Sequence, residues 1–251
     1  MIALLVIGDE ILAGDIREEN ISFMIDTLSE AGHKTGEVRI IRDEVEMIAE
    51  AFRELCERYE YVISAGGVGP THDDVTLEGA ARGFGVDLQL NGEMQNFLSE
   101  HYGGTLKEPA RRMAMLPHGS EIILGTEHRW PIIKRGNAFI LPGLPVALRD
   151  KVARLARMLP AAGGAWTAVL YVGCDETEIA GWLGKLQEHT PGVKIGSYPV
   201  VEGGGFHTRI TIKSDDRNTA QEVFEQARNQ VKAANCLLGE IPPARNVQHE
   251  A

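Results

Sequence analysis

The chain has 251 residues, of which 43% are hydrophobic and 24% are charged, a composition typical of a globular protein with a buried core. Its formal net charge of −11 argues against nucleic-acid binding, which needs a basic face to contact phosphates. No apolar run approaches the roughly 20 residues of a membrane-spanning helix, and the apolar start at residues 2–7 is too short for a secretory signal. We therefore expect a cytoplasmic protein without a membrane partner.

Three cysteines, Cys56, Cys174 and Cys236, stand far apart in the chain. Their spacing matches neither a metal site nor a disulfide framework. We expect buried or unreactive thiols, which fits a reducing compartment.

The first 80 residues alternate predicted strands and helices. An uninterrupted apolar run at residues 2–7 predicts a strand buried on both faces, as in parallel sheets. Apolar residues at helical spacing predict a helix from Asn20 to Ala31 after a loop. The remaining predicted elements are a strand over 34–41, a helix from Val45 with Asp43 at its cap position, a strand over 61–65 and a helix from Thr76. This order predicts a parallel sheet with ligands at the carboxyl ends of its strands.

The pattern restarts after a run of small residues at 160–164, which marks a domain boundary. Before that boundary the sequence predicts helices over 91–101, 107–113 and 146–159 and strands over 121–124, 131–134 and 138–141. We expect a first domain over residues 1–160, a small β-α-β-β-α domain over 161–241, and a loose tail over 242–251 that contains two prolines.

The segment Ser64–Thr76 joins a predicted strand to a predicted helix through Gly-Gly-Val-Gly-Pro-Thr-His-Asp-Asp. A glycine turn followed by a helix start directs backbone N–H groups at one place, which favours a bound phosphate. Asp73 and Asp74 would repel that phosphate. The arrangement therefore indicates a bridging divalent cation such as Mg²⁺, or one acid that handles protons.

A purely structural interpretation of this segment stays open. Glycines also serve strand-to-helix turns that need positive φ angles, and two aspartates at a helix start can cap the helix and face its dipole. The segment matches neither a phosphate-binding P-loop nor the Gly-x-Gly-x-x-Gly dinucleotide fingerprint.

Polar residues after the first two strands are further candidates for the same site. Asp43 is either an ordinary helix N-cap or an acid that approaches Asp74 at the same sheet edge. Asp9 and Glu10 form either a solvated turn or a contact to a polar ligand or a metal, and Asn20 is a helix cap, a ligand contact or both.

Several motifs together resemble the MoaB/MogA-like molybdopterin-binding family, especially its CinA branch. The family's Gly-Gly-x-Gly and Asp-x-Thr appear at residues 66–69 and 74–76, and CinA-type Gly-Asp-Glu and Leu-Pro-Gly-x-Pro appear at 8–10 and 141–145. Residues 192–199 are similar to a segment of CinA-type proteins and of eukaryotic FAD synthases. The resemblance implies a three-layer α/β fold with a mostly parallel sheet, a small C-terminal α+β domain, and a homo-oligomer.

The resemblance also implies roles for individual residues. Asp74 and Asp43 are expected to be catalytic, and Asp74 with Asp73 to hold the metal. The expected substrate contacts are Gly8, Asp9, Glu10, Asn20, Gly66, Gly67, Gly69, Pro70, Thr71, Thr76 and Gly143. Residues 125–131 depart from the CinA pattern and are closer to FAD synthases, which leaves the substrate open.

Three functions are compatible with these features. The main hypothesis is metal-dependent hydrolysis of a nucleotide pyrophosphate such as ADP-ribose or FAD, with the glycine loop holding the phosphates. The first alternative is adenylylation of molybdopterin during molybdenum-cofactor synthesis. The second is a module that binds a ligand or assembles with partners without turnover.

Overall fold

The computed structural model describes residues 1–125, 130–160, 163, 165–202 and 205–245. The chain divides into two compact units, one formed by Met1–Leu28 with His33–Pro160 and the other by Ser29–Gly32 with Ala161–Ala251. Within the described residues, no helix has both the length and the apolar character needed to cross a bilayer.

The first unit is built on a six-stranded sheet in the order β2-β1-β3-β8-β7-β6, with β4 and β5 forming a separate antiparallel pair. The four strands from β2 to β8 run parallel, and β7 and β6 are antiparallel additions. The described elements are β1 (Ile2–Ile7), α1 (Asp9–Ala13), α2 (Asn20–Glu30), β2 (Thr35–Ile41), α3 (Val45–Arg58), β3 (Tyr61–Ala65), α4 (Thr76–Gly83), β4 (Leu88–Leu90), α5 (Gly92–Tyr102), α6 (Glu108–Arg112), β5 (Met115–Pro117), β6 (Glu121–Ile123), β7 (Ile132–Arg135), β8 (Ala138–Leu141) and α7 (Pro145–Met158).

Both faces of this sheet are covered. All six residues of β1 are buried, and alternate members, Ala3, Leu5 and Ile7, join a core cluster with residues of α3, α4 and α5. The other three point to the opposite face, because side chains alternate along a strand. Helices α2 and α7 contribute no residue to that cluster but bury apolar stripes of their own. Helices therefore sandwich the sheet in three layers.

The second unit contains a four-stranded antiparallel sheet in the order β10-β11-β9-β12. Its described elements are β9 (Trp166–Val172), α8 (Glu176–His189), β10 (Val193–Glu202), β11 (Gly205–Ser214), α9 (Arg217–Ala233) and β12 (Leu237–Ala244). Apolar residues of both helices pack with one face of the sheet to form a separate core.

Strand β12 was not predicted from the sequence, which places a loose tail at 242–251. It pairs with β9 at the sheet edge, and its register shifts between Ile241 and Ala244, around the two prolines. Proline lacks the N–H that a central strand needs but is tolerated at an edge or a bulge. The tail expectation is therefore wrong up to Ala244, and residues 246–251 lie outside the described part.

The second unit also contains a disulfide bond between Cys174, after β9, and Cys236, before β12, with a Cα–Cα distance of 5.8 Å. The expectation of three unpaired thiols is therefore wrong for these two residues. The cysteines are 62 residues apart in sequence, and only the pairing of β9 with β12 brings them together. Cys56 is free, and burial raises the pKa of its thiol to about 11, which makes it unreactive at neutral pH.

Candidate functional site

A cleft of about 540 Å³ lies at the carboxyl edge of the parallel strands. The strands end in register, with Val6 beside Ala65, Ile7 beside Ile41, and Ala65 beside Leu141. The chain segments that follow β1, β2, β3 and β8 all contribute to the cleft wall. The predicted convergence of polar residues at this edge is thus what the structure shows.

The loop after β3 enters the cleft through two glycines with positive φ angles, Gly66 at 113° and Gly67 at 62°. A Cβ atom on Gly66 would collide with the backbone oxygen of Ile7, and one on Gly67 would meet the hydroxyl of Thr76 and lie 2.9 Å from Asp43 Oδ1. Both positions therefore require glycine for conformation and for space.

Thr76 holds this loop from behind. It is fully buried, its hydroxyl donates to the carbonyl of Gly66 at 2.9 Å, and its amide donates to the carbonyl of Gly67 at 3.0 Å. Within the described part of the chain, the amides of Gly67 and Val68, both in the cleft wall, find no acceptor. Successive backbone N–H groups without an acceptor are a feature of loops that bind anions.

Asp74 closes the same loop. One carboxylate oxygen accepts the amide of Gly69 at 2.7 Å, and the other accepts the amide of Thr71 at 2.9 Å and also its hydroxyl. A Cβ on Gly69 would lie 2.6 Å from this carboxylate. The three donors give Asp74 a positioning role, which weakens the case for it as the first metal ligand.

Asp43 does not cap helix α3, which was one of the two interpretations of this residue from the sequence. Helix α3 is capped by Glu44 without a side-chain hydrogen bond, whereas Asp43 accepts the amide of Asp9 at 2.9 Å. This bond links the segments after β1 and β2. Burial raises the pKa of Asp43 above its ordinary value, and the charges of Glu10, Asp9 and Asp73 raise it further. Asp43 therefore lies where negative charge is concentrated.

The pKa of Asp73 is shifted in the opposite direction from that of Asp43. Asp73 lines the cleft, its side chain is 69% exposed, and hydrogen bonding with Thr71 lowers its pKa. Two neighbouring carboxyls with pKa values moved in opposite directions can take different roles, one ionised and one exchanging protons.

The cleft wall is strongly acidic. It contains six acids against one basic side chain, Arg17, the acids being Glu10, Glu18, Glu19, Asp43, Asp73 and Asp74. An anion at the glycine loop would meet this charge unless a cation accompanied it.

The donor set fits a hard divalent cation only in part. Among the described residues, no three His, Cys, Asp or Glu side chains gather into a metal-binding group. Magnesium is commonly held by one or two carboxylates together with substrate phosphates. Asp43 and Asp73 could provide such carboxylates, so the residues fit a cation that enters with a phosphorylated ligand.

Asn20 and Gly143 join two walls of the cleft. The Asn20 side-chain amide donates to the carbonyl of Gly143 at 3.0 Å, and a Cβ on Gly143 would lie 3.2 Å from the Cα of Gly66. Asn20 Oδ1 and Glu18 Oε1 are buried and find no donor in the described part of the chain. Glu18, together with the cation Arg17, was missed in the sequence; the only signal was their place between Asp9 and Asn20.

The other predicted contacts fall into two groups. Glu10 lines the cleft, and Gly8 leaves room for it, since a Cβ there would lie 2.6 Å from Glu10 Oε1. The predicted substrate contacts that do not line the cleft are Gly8, Asp9, Pro70, Thr71 and Thr76. Apart from Pro70, these support the wall through the contacts described above.

Residues 3–161 match the family model described as "Probable molybdopterin binding domain". The chain belongs to this family. Its molybdopterin-binding domain thus coincides with the unit that carries the cleft. Residues 165–238, in the second unit, match a model described as "FAD synthase, middle domain".

Two relatives of known sequence cover most of the chain. A protein of Archaeoglobus fulgidus is 33% identical over 196 residues, which cover 78% of this chain and 84% of that protein. A "Probable FAD synthase" of Caenorhabditis elegans is 29% identical over 253 residues, covering 90% of this chain but 49% of the relative. The chain thus spans about half the length of that FAD synthase.

Among solved structures, the protein CinA of Thermoplasma acidophilum superposes with a TM-score of 0.58 at 28% identity, covering 62% of this chain and 96% of CinA. The three-layer α/β fold with a mostly parallel sheet, expected from the resemblance, is therefore confirmed for this molybdopterin-binding domain.

Proposed function

We propose that the first unit hydrolyses the pyrophosphate bond of a nucleotide derivative of the ADP-ribose or FAD class, with the help of a divalent cation. The observation that carries this proposal is the pairing of two unbonded loop amides, at Gly67 and Val68, with a wall of carboxylates in one cleft. An anion-binding loop inside an acidic cleft suits a ligand that arrives with its own cation.

In this proposal, different residues of the cleft bind the phosphates, shape the loop and accept a proton. The amides of Gly67 and Val68 hold phosphate oxygens, and Asp74 with Thr76 keeps that loop in shape. Asp43, whose pKa is raised, accepts the proton of the attacking water. As the water oxygen bonds to phosphorus, the bridging P–O bond breaks and the second phosphate leaves with its electron pair. A divalent cation, held by Asp73 together with the ligand's phosphates, would neutralise charge on those phosphates.

The decisive measurement is AMP release from ADP-ribose and from FAD, with Mg²⁺, Mn²⁺, Co²⁺ or Ni²⁺ and with EDTA as the blank. We expect release with at least one cation and none with EDTA. Asp43→Asn should lower this release by about 100-fold or more, and Asp87→Asn, an equal change at an exposed position outside the cleft, should leave it unchanged. Absence of turnover with every cation would refute the proposal.

The family description favours one alternative, a pterin ligand. Molybdopterin adenylylation would use the same loop, but it consumes ATP and forms a phosphate bond to the pterin instead of breaking a pyrophosphate. Incubation with molybdopterin and ATP, followed by mass spectrometry, separates the two. A non-catalytic module would bind one of these ligands and convert none.

A further inference from the structure

One face of the sheet in the second unit carries a group of basic and aromatic residues. The opposite face packs with α8 and α9 and contains Ile195, Ile210 and Ile212. Since side chains alternate along a strand, the residues between them share the other face. We call this the basic sheet face and define it by Tyr171, Lys194, Tyr198, Arg209 and Lys213.

The first row across this face is aromatic. Arg209 is paired with Tyr198 on one side and with Tyr171 on the other, and its guanidinium lies 5.4 Å from the centre of the Tyr198 ring. The Tyr198 ring extends over Gly196, where a Cβ would lie 2.8 Å from its hydroxyl oxygen. Tyr198 remains 48% exposed, so a preorganised ring surface faces solvent.

A second row, four residue pairs further along β10 and β11, is cationic on these two strands. Lys194 lies directly opposite Lys213, and both are exposed. Like charges in this relation destabilise a sheet. Among the described residues, neither lysine nor Arg209 forms an ion pair, and the buried Nε of Arg209 finds no acceptor. Within the described part of the chain, the face thus carries three cations without an anionic partner.

We propose that the basic sheet face binds a phosphorylated aromatic ligand of the nucleotide class. The base stacks on the exposed side of Tyr198, and the phosphate lies between Lys194 and Lys213. Because the Tyr198 ring reaches over Gly196, it lies two residues along the strand, or about 7 Å, from Lys194 and Lys213. A nucleoside monophosphate spans such a gap. The site lies in the second unit and does not depend on the hydrolase proposed for the first.

The binding test is calorimetric titration of the full chain with AMP. Lys194→Gln with Lys213→Gln should weaken this binding at least tenfold, while thermal stability stays equal or rises, because a repulsive pair is removed. The matched control is Lys185→Gln with Lys232→Gln, which removes the same charge from exposed positions on α8 and α9. Equal weakening in both double variants would overturn the proposal.

The location test is photocrosslinking with 8-azido-AMP and mapping of the labelled peptides. We expect label within residues 193–213, lost in Tyr198→Ala; label confined to residues 1–160 would show binding at the cleft alone and overturn the inference. If inorganic phosphate bound as tightly as AMP, the role of the Tyr198 ring would be refuted. If a polyglutamate peptide bound to the protein and AMP did not, the ligand class would be refuted. Label on residues 193–213 combined with no pyrophosphatase activity would leave this inference standing.

Discussion

Asp43 and Asp74 show how two aspartates in one cleft take different roles. Asp74 receives three hydrogen bonds from its own loop, so its charge stabilises the fold locally. Asp43 receives one, and its pKa is raised by burial first and by the charges of neighbouring acids second. A carboxylate held by donors is a positioning group, whereas one among like charges is available for a cation or a proton.

At the residue scale, Asp43→Asn should therefore stabilise the protein while lowering the proposed activity by about 100-fold or more. The raised pKa means that the folded protein binds the Asp43 proton more tightly than the unfolded chain does. The contribution of Asp43 to stability is thus fully present at a pH below 3.8, the ordinary pKa of an aspartate. It is lost as the pH rises through the pKa of Asp43 in the folded protein. Thermal unfolding of both proteins between pH 3 and 8 tests this expectation. A variant less stable than the wild type at pH 7 would contradict it.

Asp74→Asn should behave in the opposite way. An amide offers one acceptor oxygen, so a loop donor of Gly69 or Thr71 would face an NH₂ group, at a cost of about 1–3 kcal/mol. We expect a lower free energy of unfolding in urea together with reduced AMP release. Wild-type stability in this variant would show that the loop does not depend on the carboxylate.

At the element scale, helices α3 and α4 approach each other through a glycine. A Cβ on Gly79 of α4 would lie 2.5 Å from the Ile48 side chain of α3. Glycine costs helix stability on its own, so its presence here is explained by the close contact between the helices.

Gly79→Ala is expected to destabilise the first unit by about 1–3 kcal/mol, because the methyl group forces the two helices apart. The matched substitution is Gly184→Ala in α8, where a Cβ would have no atom within 4 Å. This substitution should stabilise the second unit by about 0.4–1 kcal/mol. Urea denaturation of both variants measures the difference. Equal effects would mean that helix propensity, and not packing, decides both.

At the scale of the whole molecule, the disulfide and β12 close the second unit. Cys174 and Cys236 are 62 residues apart in sequence, and constraining a loop of that length in the unfolded chain is worth about 4 kcal/mol on the chain-entropy model. The bond also ties the edge strand β12 to its neighbour β9.

Reduction, or Cys236→Ser, should therefore lower the stability of the second unit by about 4 kcal/mol. Guanidinium denaturation with and without a phosphine reductant can be followed by tryptophan fluorescence in a Trp130→Phe background, so that Trp166 and Trp182, both in the second unit, report. Cys56→Ser is the control, since Cys56 is free. A transition insensitive to reductant would show that the bond adds nothing.

The sequence by itself determined the layered α/β architecture and the edge at which the cleft forms. Continuous apolar runs require strands buried on both faces, and parallel strands with helical crossovers place their carboxyl ends together. The glycine loop and the acids after β1, β2 and β3 were predicted as one site for this reason.

Only the tertiary structure decided what each polar group contacts. Three of the four donors to Asp43 and Asp74 are backbone amides, whose positions depend on loop geometry, and sequence spacing does not record those positions. The same limit applies to the Cys174–Cys236 bond, to β12 with its two prolines, and to the basic sheet face, because strand register brings together residues that are distant in the chain. Local patterns specify elements, whereas pairing between elements depends on how the whole chain packs.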